Sequence, residues 1–133
     1  MLSGSVVTTI LQVSQASPAV EFYRDRLGLE HVGRNSEGQE LFTLGGGASL
    51  ALMPDPGAAP TGRTELSFEV SDIAAEIREL RQRGVAFADY DLPGLRTVEH
   101  ICVLGSEKAA WFQDPDGNVL CLHELLPAAS SSQ

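Results

Sequence analysis

Two stretches of this 133-residue chain follow the same plan 57 positions apart. In the first, Val7, Thr9, Leu11 and Val13 share one face of a strand, while Thr8, Ile10 and Gln12 share the other. Ser17 and Pro18 then read as a helix cap and first helical residue. Val20, Tyr23 and Leu27 follow at three- and four-residue spacing, and Gly28 is the stop. In the second stretch Leu66, Phe68 and Val70 alternate with Glu65, Ser67 and Glu69. Asp72 is the cap, and Ile73, Ile77 and Leu80 make an apolar stripe that ends at Gly84. Laying Val13 on Val70 and Gln15 on Asp72 lays helix on helix as well. The chain thus carries an internal repeat with a period of about half its length.

The segments after each helix complete the plan. Strands are expected around Leu29–Arg34, Leu41–Leu44 and Ser49–Met53, separated by Asn35-Ser36-Glu37-Gly38 and by Gly45-Gly46-Gly47. After the second helix they are expected at Val85–Asp89, Ala109–Gln113 and Val119–Glu124, the last two joined by the tight turn Asp114-Pro115-Asp116-Gly117. The predicted fold is α+β: two β-α-β-β-β modules in one domain. Module one covers about 5–53, a Pro/Gly-rich linker 54–63, module two about 64–125 and a polar tail 126–133. The helices are predicted near 17–28 and 72–84.

Composition narrows the function. Hydrophobic residues make up 43% of the chain, enough to fill one core, and a mean hydropathy near zero excludes a wholly disordered chain. Eighteen acidic against nine basic residues give a formal charge of −9, which repels phosphate backbones and anionic membranes. No nucleic-acid or membrane partner is expected. Residues 1–13 lack a basic region and a cleavage site and read as a strand, and no window has the length and apolarity of a membrane span. Cys102 and Cys121 are too few for a disulfide framework and sit in apolar stretches, which points to buried, reduced thiols and a cytoplasmic location.

The string VSQASPAVEFYRDRLGLE resembles the first-module signature of the vicinal-oxygen-chelate superfamily: a strand, a cap, then Phe-Tyr and Leu-Gly on the helix. ELSFEVSDIAAEIRELRQRGV resembles its second module, and FQDPDGNVLCLHE resembles its closing strand pair. The resemblance spans residues 5–125. It implies two βαβββ modules whose sheets curl around a cleft. Members include glyoxalase I, extradiol dioxygenases, thiol transferases acting on fosfomycin, methylmalonyl-CoA epimerase and the bleomycin resistance proteins, so fold alone does not choose a chemistry. The metal-dependent members place His, Gln or Glu at four positions that correspond here to Thr8, Ala51, Glu65 and Cys121. Only Glu65 is a competent hard ligand, so no metal and no cofactor is expected. A Glu65–Cys121 zinc site completed by His123 or His100 is the alternative.

With that geometry, strand parity assigns the concave face. Thr8, Ile10 and Gln12 come from the first strand, and Ser49, Ala51 and Met53 from the fourth. Glu65, Ser67, Glu69, Ala109, Trp111, Val119, Cys121 and His123 come from the second module. The candidate ligand-binding residues are Thr8, Gln12, Met53, Glu65, Ser67, Glu69, Trp111, Cys121 and His123. The apolar members read mostly as plain wall packing. Trp111 offers an aromatic wall, and Glu65 and Glu69 are same-face carboxylates that are costly to bury unpaired. They serve either as ligand groups or as partners of an arginine such as Arg63 or Arg96. His123 reads as a rim residue and His31 as a surface one. Cys121 reads as an inert thiol, since neighbouring carboxylates would raise its pKa. Segment 90–107, longer than the turns elsewhere, either forms an edge strand or covers the cleft.

Two readings follow. The first is a metal-free protein that binds a small organic molecule, cationic or aromatic, similar to the bleomycin-resistance branch. The second is an enzyme, a glyoxalase- or dioxygenase-like lyase or oxidoreductase, with an unusual metal set or a carboxylate-based site. The resemblance and the small size of the domain also imply a homodimer.

Overall fold

A computed structural model describes residues 1–127; the expected polar tail lies, from Ala128 onward, outside the described residues. The described residues form two compact units, Met1–Thr61 with Asp114–Gly117, and Gly62–Gln113 with the described residues from Asn118 onward. The fold is α+β, with one four-stranded mixed sheet and one main helix in each unit.

In the first unit, strand β1 (Thr8–Val13) leads into α1 (Ala16–Glu21), whose last turns widen to π-helical geometry over Phe22–Arg26. Strands β2 (Glu30–Arg34), β3 (Glu40–Thr43) and β4 (Ser49–Pro54) complete a sheet of order β1-β4-β3-β2, with β1 parallel to β4. The helix starts earlier than the sequence suggested. Gln15 is the cap, without a side-chain hydrogen bond, and Pro18 is the third helical residue. Proline is tolerated throughout a first turn, where N–H groups have no intrahelical acceptor, so Ser-Pro marks the turn and not the position. Gly28 ends the segment with a φ of 75°, a value that suits glycine.

The parity expected of β1 is observed. Leu11 and Val13 are buried, while Thr8, Ile10 and Gln12 are exposed. The ladders extend this across the sheet, so that Leu11, Leu52, Glu40 and Arg34 form one row and Thr9, Leu50, Phe42 and His31 the next. Both rows face the helix, as Tyr23 shows by packing 6.2 Å from Phe42. The Tyr23 hydroxyl donates to buried Asp114 at 2.7 Å. Asp114 also accepts from the Asp116 N–H, and Asp116 accepts from the Ser14 N–H, both at 2.9 Å. The Phe-Tyr of the helix and the Asp-Pro-Asp-Gly turn are thus two halves of one hydrogen-bonded device.

The second unit repeats the topology. Strand β5 (Thr64–Glu69) leads into α2 (Ile73–Gln82), and the sheet runs β5-β10-β9-β8, with β8 Cys102–Leu104, β9 Glu107–Gln113 and β10 Val119–Leu125. A small hairpin, β6 (Asp91–Leu92) with β7 (Leu95–Arg96), stands apart. Asp72 caps α2 as expected, accepting from the Ala75 N–H at 3.1 Å. Gln15 and Asp72, the residues superposed by the repeat, are the caps of the two helices.

One strand differs from expectation. Val85–Asp89 does not form a ladder: Phe87 makes a single antiparallel bridge to Phe112, and the Ala88 N–H donates to the Trp111 carbonyl at 2.8 Å. The chain then leaves the sheet, runs through the hairpin, and returns at Cys102, which pairs with Ala109. The outer strand beside β9 is therefore split in two, with residues 89–101 inserted. Segment 90–107 supplies an edge strand, as one of its two expected readings had it.

Candidate functional site

Helix α2 covers one face of the second sheet. The Ile73 N–H at its start donates to Glu124 on β10 at 2.9 Å, so Leu120, Leu122 and Glu124 point toward the helix. Cys121 and His123 therefore point to the opposite face. The ladders give that face its rows. Ser67, Cys121 and Trp111 form one, and Glu69, His123, Ala109 and Cys102 the next. Five of the nine expected site residues, Ser67, Glu69, Trp111, Cys121 and His123, are thus gathered on one face of one unit, while Glu65 lies at the β5 end where the register with β10 shifts.

The interactions on this face are specific. Ser67 Oγ lies 2.6 Å from His123 Nδ1, and His123 Nε2 lies 3.8 Å from Glu69 Oε1. Trp111 is half-buried and takes the Tyr90 ring edge-on, with centroids 5.6 Å apart at 82°. Cys121 is buried. Burial pushes its thiol up, a nearby Glu107 adds to this, and hydrogen bonds from Ser67 and the Ala110 backbone oppose it. The thiol is held in its unreactive form, as the sequence suggested, with burial rather than carboxylates as the main cause. Arg96 is not the partner of a site glutamate, since its Nε is held by Asp91 at 2.9 Å. Glu65 has interactions of its own within the protein.

The other three expected residues lie in the first unit, on the face of its sheet away from α1. Gln12 and Met53 are neighbours across the β1–β4 ladder, and Thr8 pairs with Ser49. Thr8 and Gln12 are exposed and Met53 is half-buried.

The donor set does not fit the metal that the superfamily's enzymes use. Ala51 has no donor atom, and Cys121 is kept protonated. Among the described residues no three His, Cys, Asp or Glu side chains gather to hold a metal ion.

A second polar cluster was not anticipated. Glu40 is buried on the helix-facing side of the first sheet, its Oε1 held by His31 Nε2 and its Oε2 by Arg34 Nε, both at 2.8 Å. Burial acts to raise the Glu40 carboxyl, but the hydrogen bonds and charges of Arg34 and His31 outweigh it and leave the group below the usual carboxylate range. With Ser17, Val20, Glu21 and Arg24 of the helical segment it lines a groove of about 310 Å³. The hairpin turn at Asn35–Gly38 was visible in the sequence, and it sets Glu40 against Arg34. That register was the available signal.

Comparison with known proteins agrees with this geometry. No curated protein matches the sequence. An antibiotic-binding protein, TnmS3 from Streptomyces sp. CB03234, is 26% identical over 94% of this chain and 98% of its own, with a TM-score of 0.68. A glyoxalase/bleomycin resistance protein from the same organism is 27% identical over 89% of this chain and 98% of its own, with a TM-score of 0.62. A member of the Glyoxalase/bleomycin resistance protein/dioxygenase superfamily from Sphaerobacter thermophilus DSM 20745 is 28% identical over 93% and 99%, with a TM-score of 0.71. The family profile itself matches residues 5–122, which takes in both capped helices and the Asp-Pro-Asp-Gly turn. The chain belongs to the Glyoxalase/Bleomycin resistance protein/Dioxygenase superfamily.

Proposed function

We propose that the protein binds a small aromatic molecule carrying positive charge, on the face of the second sheet away from α2. The observation that carries this reading is the placing of Trp111 and Glu69 on that face, in adjacent rows. The indole supplies apolar area and cation–π attraction, and Glu69, whose side chain is 64% exposed, supplies charge that a cation neutralises. The net charge of −9 draws such a molecule in, more strongly at low salt. The similarity to an antibiotic-binding protein supports a binding role for this chain.

The test is titration of Trp111 fluorescence with cationic, neutral and anionic aromatics, on the native protein and on Glu69→Gln. Preference for the cations, reduced by the substitution, is expected. Preference for anions, or a Glu69→Gln protein with unchanged cation affinity, refutes the reading. The protein is further proposed to act as a homodimer, since a small domain gains burial from pairing. A monomer at micromolar concentration in light scattering overturns that part alone.

A further inference from the structure

Ser67, His123 and Glu69 make a connected set that ligand binding does not require. The hydroxyl of Ser67 is 2.6 Å from one ring nitrogen of His123, Nδ1, and the Glu69 carboxylate is 3.8 Å from the other, Nε2. The register produces this. Glu69 is level with His123 on the neighbouring strand and Ser67 is level with Cys121, so the imidazole lies between the carboxylate and the hydroxyl.

The carboxylate, beyond hydrogen-bond distance at 3.8 Å, acts through its charge: it favours the tautomer with its proton on Nε2, which leaves Nδ1 to accept from the serine. Hydroxyl, base, and an acid behind the base is the order that turns a weak nucleophile into a competent one. The contrast with Tyr23–Asp114 in the first unit is informative, because that hydroxyl is buried and its bond closes a turn. Ser67 is exposed and the His123 side chain is 22% exposed, so an electrophile can reach both. Ser67 also hydrogen-bonds to the neighbouring Cys121, but that thiol is buried and does not compete as a nucleophile.

We propose that Ser67 is the nucleophile of an acyl-transfer activity toward small activated esters, with His123 as its base and Glu69 as the residue that positions His123. Ser67 Oγ adds to the ester carbonyl carbon as its proton passes to His123 Nδ1. The adduct collapses, the bond from carbonyl carbon to alcohol oxygen breaks, and that oxygen leaves with the proton from Nδ1. Solvent water, giving a proton to the same nitrogen, then attacks the acyl-serine. The carboxylic acid is released and the proton returns to Ser67 Oγ. The activity goes beyond the binding reading and does not rest on it, because the ester need not be charged.

The experiment uses 4-nitrophenyl acetate, a neutral probe, with release of nitrophenol followed by absorbance and the site of acetylation located by peptide mass spectrometry after acid quench. Acetylation of Ser67 in the native protein is expected. Ser67→Ala should abolish the label and, with His123→Gln, slow turnover by about a hundredfold, the lower end of what a positioned base contributes. Glu69→Gln should lower kcat with KM unchanged, and Glu69→Asp should restore part of the loss. Equal turnover by native protein and Ser67→Ala, or acetyl found on Cys121 or Lys108 in place of Ser67, overturns the proposal. So does a native protein that takes up no acetyl group. A protein that binds cationic aromatics but is never acetylated sinks this inference and leaves the binding reading standing.

Discussion

The two units share a strand order and a parallel pairing of first and last strands, yet they use their polar residues in opposite ways. In the first, Glu40, His31 and Arg34 sit on the helix side of the sheet, and both carboxylate oxygens of Glu40 are taken. In the second, Ser67, His123 and Glu69 sit on the side away from the helix, two of them exposed. A closed cluster holds the fold, whereas an open one keeps hydrogen-bonding capacity for something outside the chain. Repetition of a topology therefore does not repeat its chemistry. The side of the sheet on which the polar residues fall decides whether their hydrogen-bonding groups are used inside the fold or left facing outward.

The largest expected effects test what the units share. Phe42→Ala and Phe112→Ala remove equivalent buried rings from the third strand of each sheet order, and each should cost about 3–5 kcal/mol in urea unfolding. A loss confined to one of them would show that the two cores are not equivalent.

The next test separates the polar clusters. Glu40→Gln leaves a buried site without its charge and should cost about 1–3 kcal/mol, whereas Ser67→Ala, on an exposed face, should stay within about 0.5 kcal/mol. The Glu40 carboxyl lies below its unfolded value, so its contribution is present above that unfolded pKa and is lost as pH falls through the folded one. The native protein should thus lose stability on acidification more steeply than Glu40→Gln, read from unfolding midpoints at descending pH. Parallel acid limbs would remove Glu40 from the account.

On the open face the effect should appear in binding instead. Glu69→Gln should weaken a cationic aromatic by about tenfold, the scale of one charge-assisted contact, with little change in melting temperature. The smallest effect concerns the insertion found only in the second unit. Glu99 and His100 are consecutive residues with φ of 52° and 73°, a region costly for side chains. Glu99→Gly should relieve part of that and stabilise the protein by about 0.5–1 kcal/mol in thermal melts. Destabilisation would mean that the Glu99 side chain holds the loop.

Much of this was readable from residues close in sequence. Alternation in Thr8–Val13 and Thr64–Glu69 gave the faces, Asp72 gave a cap, and Gly28 and Gly84 gave helix ends. Tertiary pairing was less readable. Val85–Asp89 alternates as a strand should, but whether it forms one depends on which residues come back to claim the edge of β9, and Cys102–Leu104 takes half of it. The membership of the open face followed from parity. Its chemistry did not, because Ser67 and His123 are 56 residues apart and meet only through the parallel register of β5 and β10. Glu40 was missed because its burial follows from helix packing over a hairpin, which no local pattern reports.

The split outer strand has a consequence for how the protein behaves in a crowd. A long unpaired strand edge is a template on which another chain can add, and such edges seed aggregation. Here β8 contributes only three residues, and the chain reaches the rest of the β9 edge with a single bridge before turning away. Val103 and Leu104 would make a continuous edge adhesive, but the insertion at 89–101 leaves an incoming strand too short a run to register on. The interruption that made this edge hard to read in the sequence makes it equally hard for a foreign strand to extend.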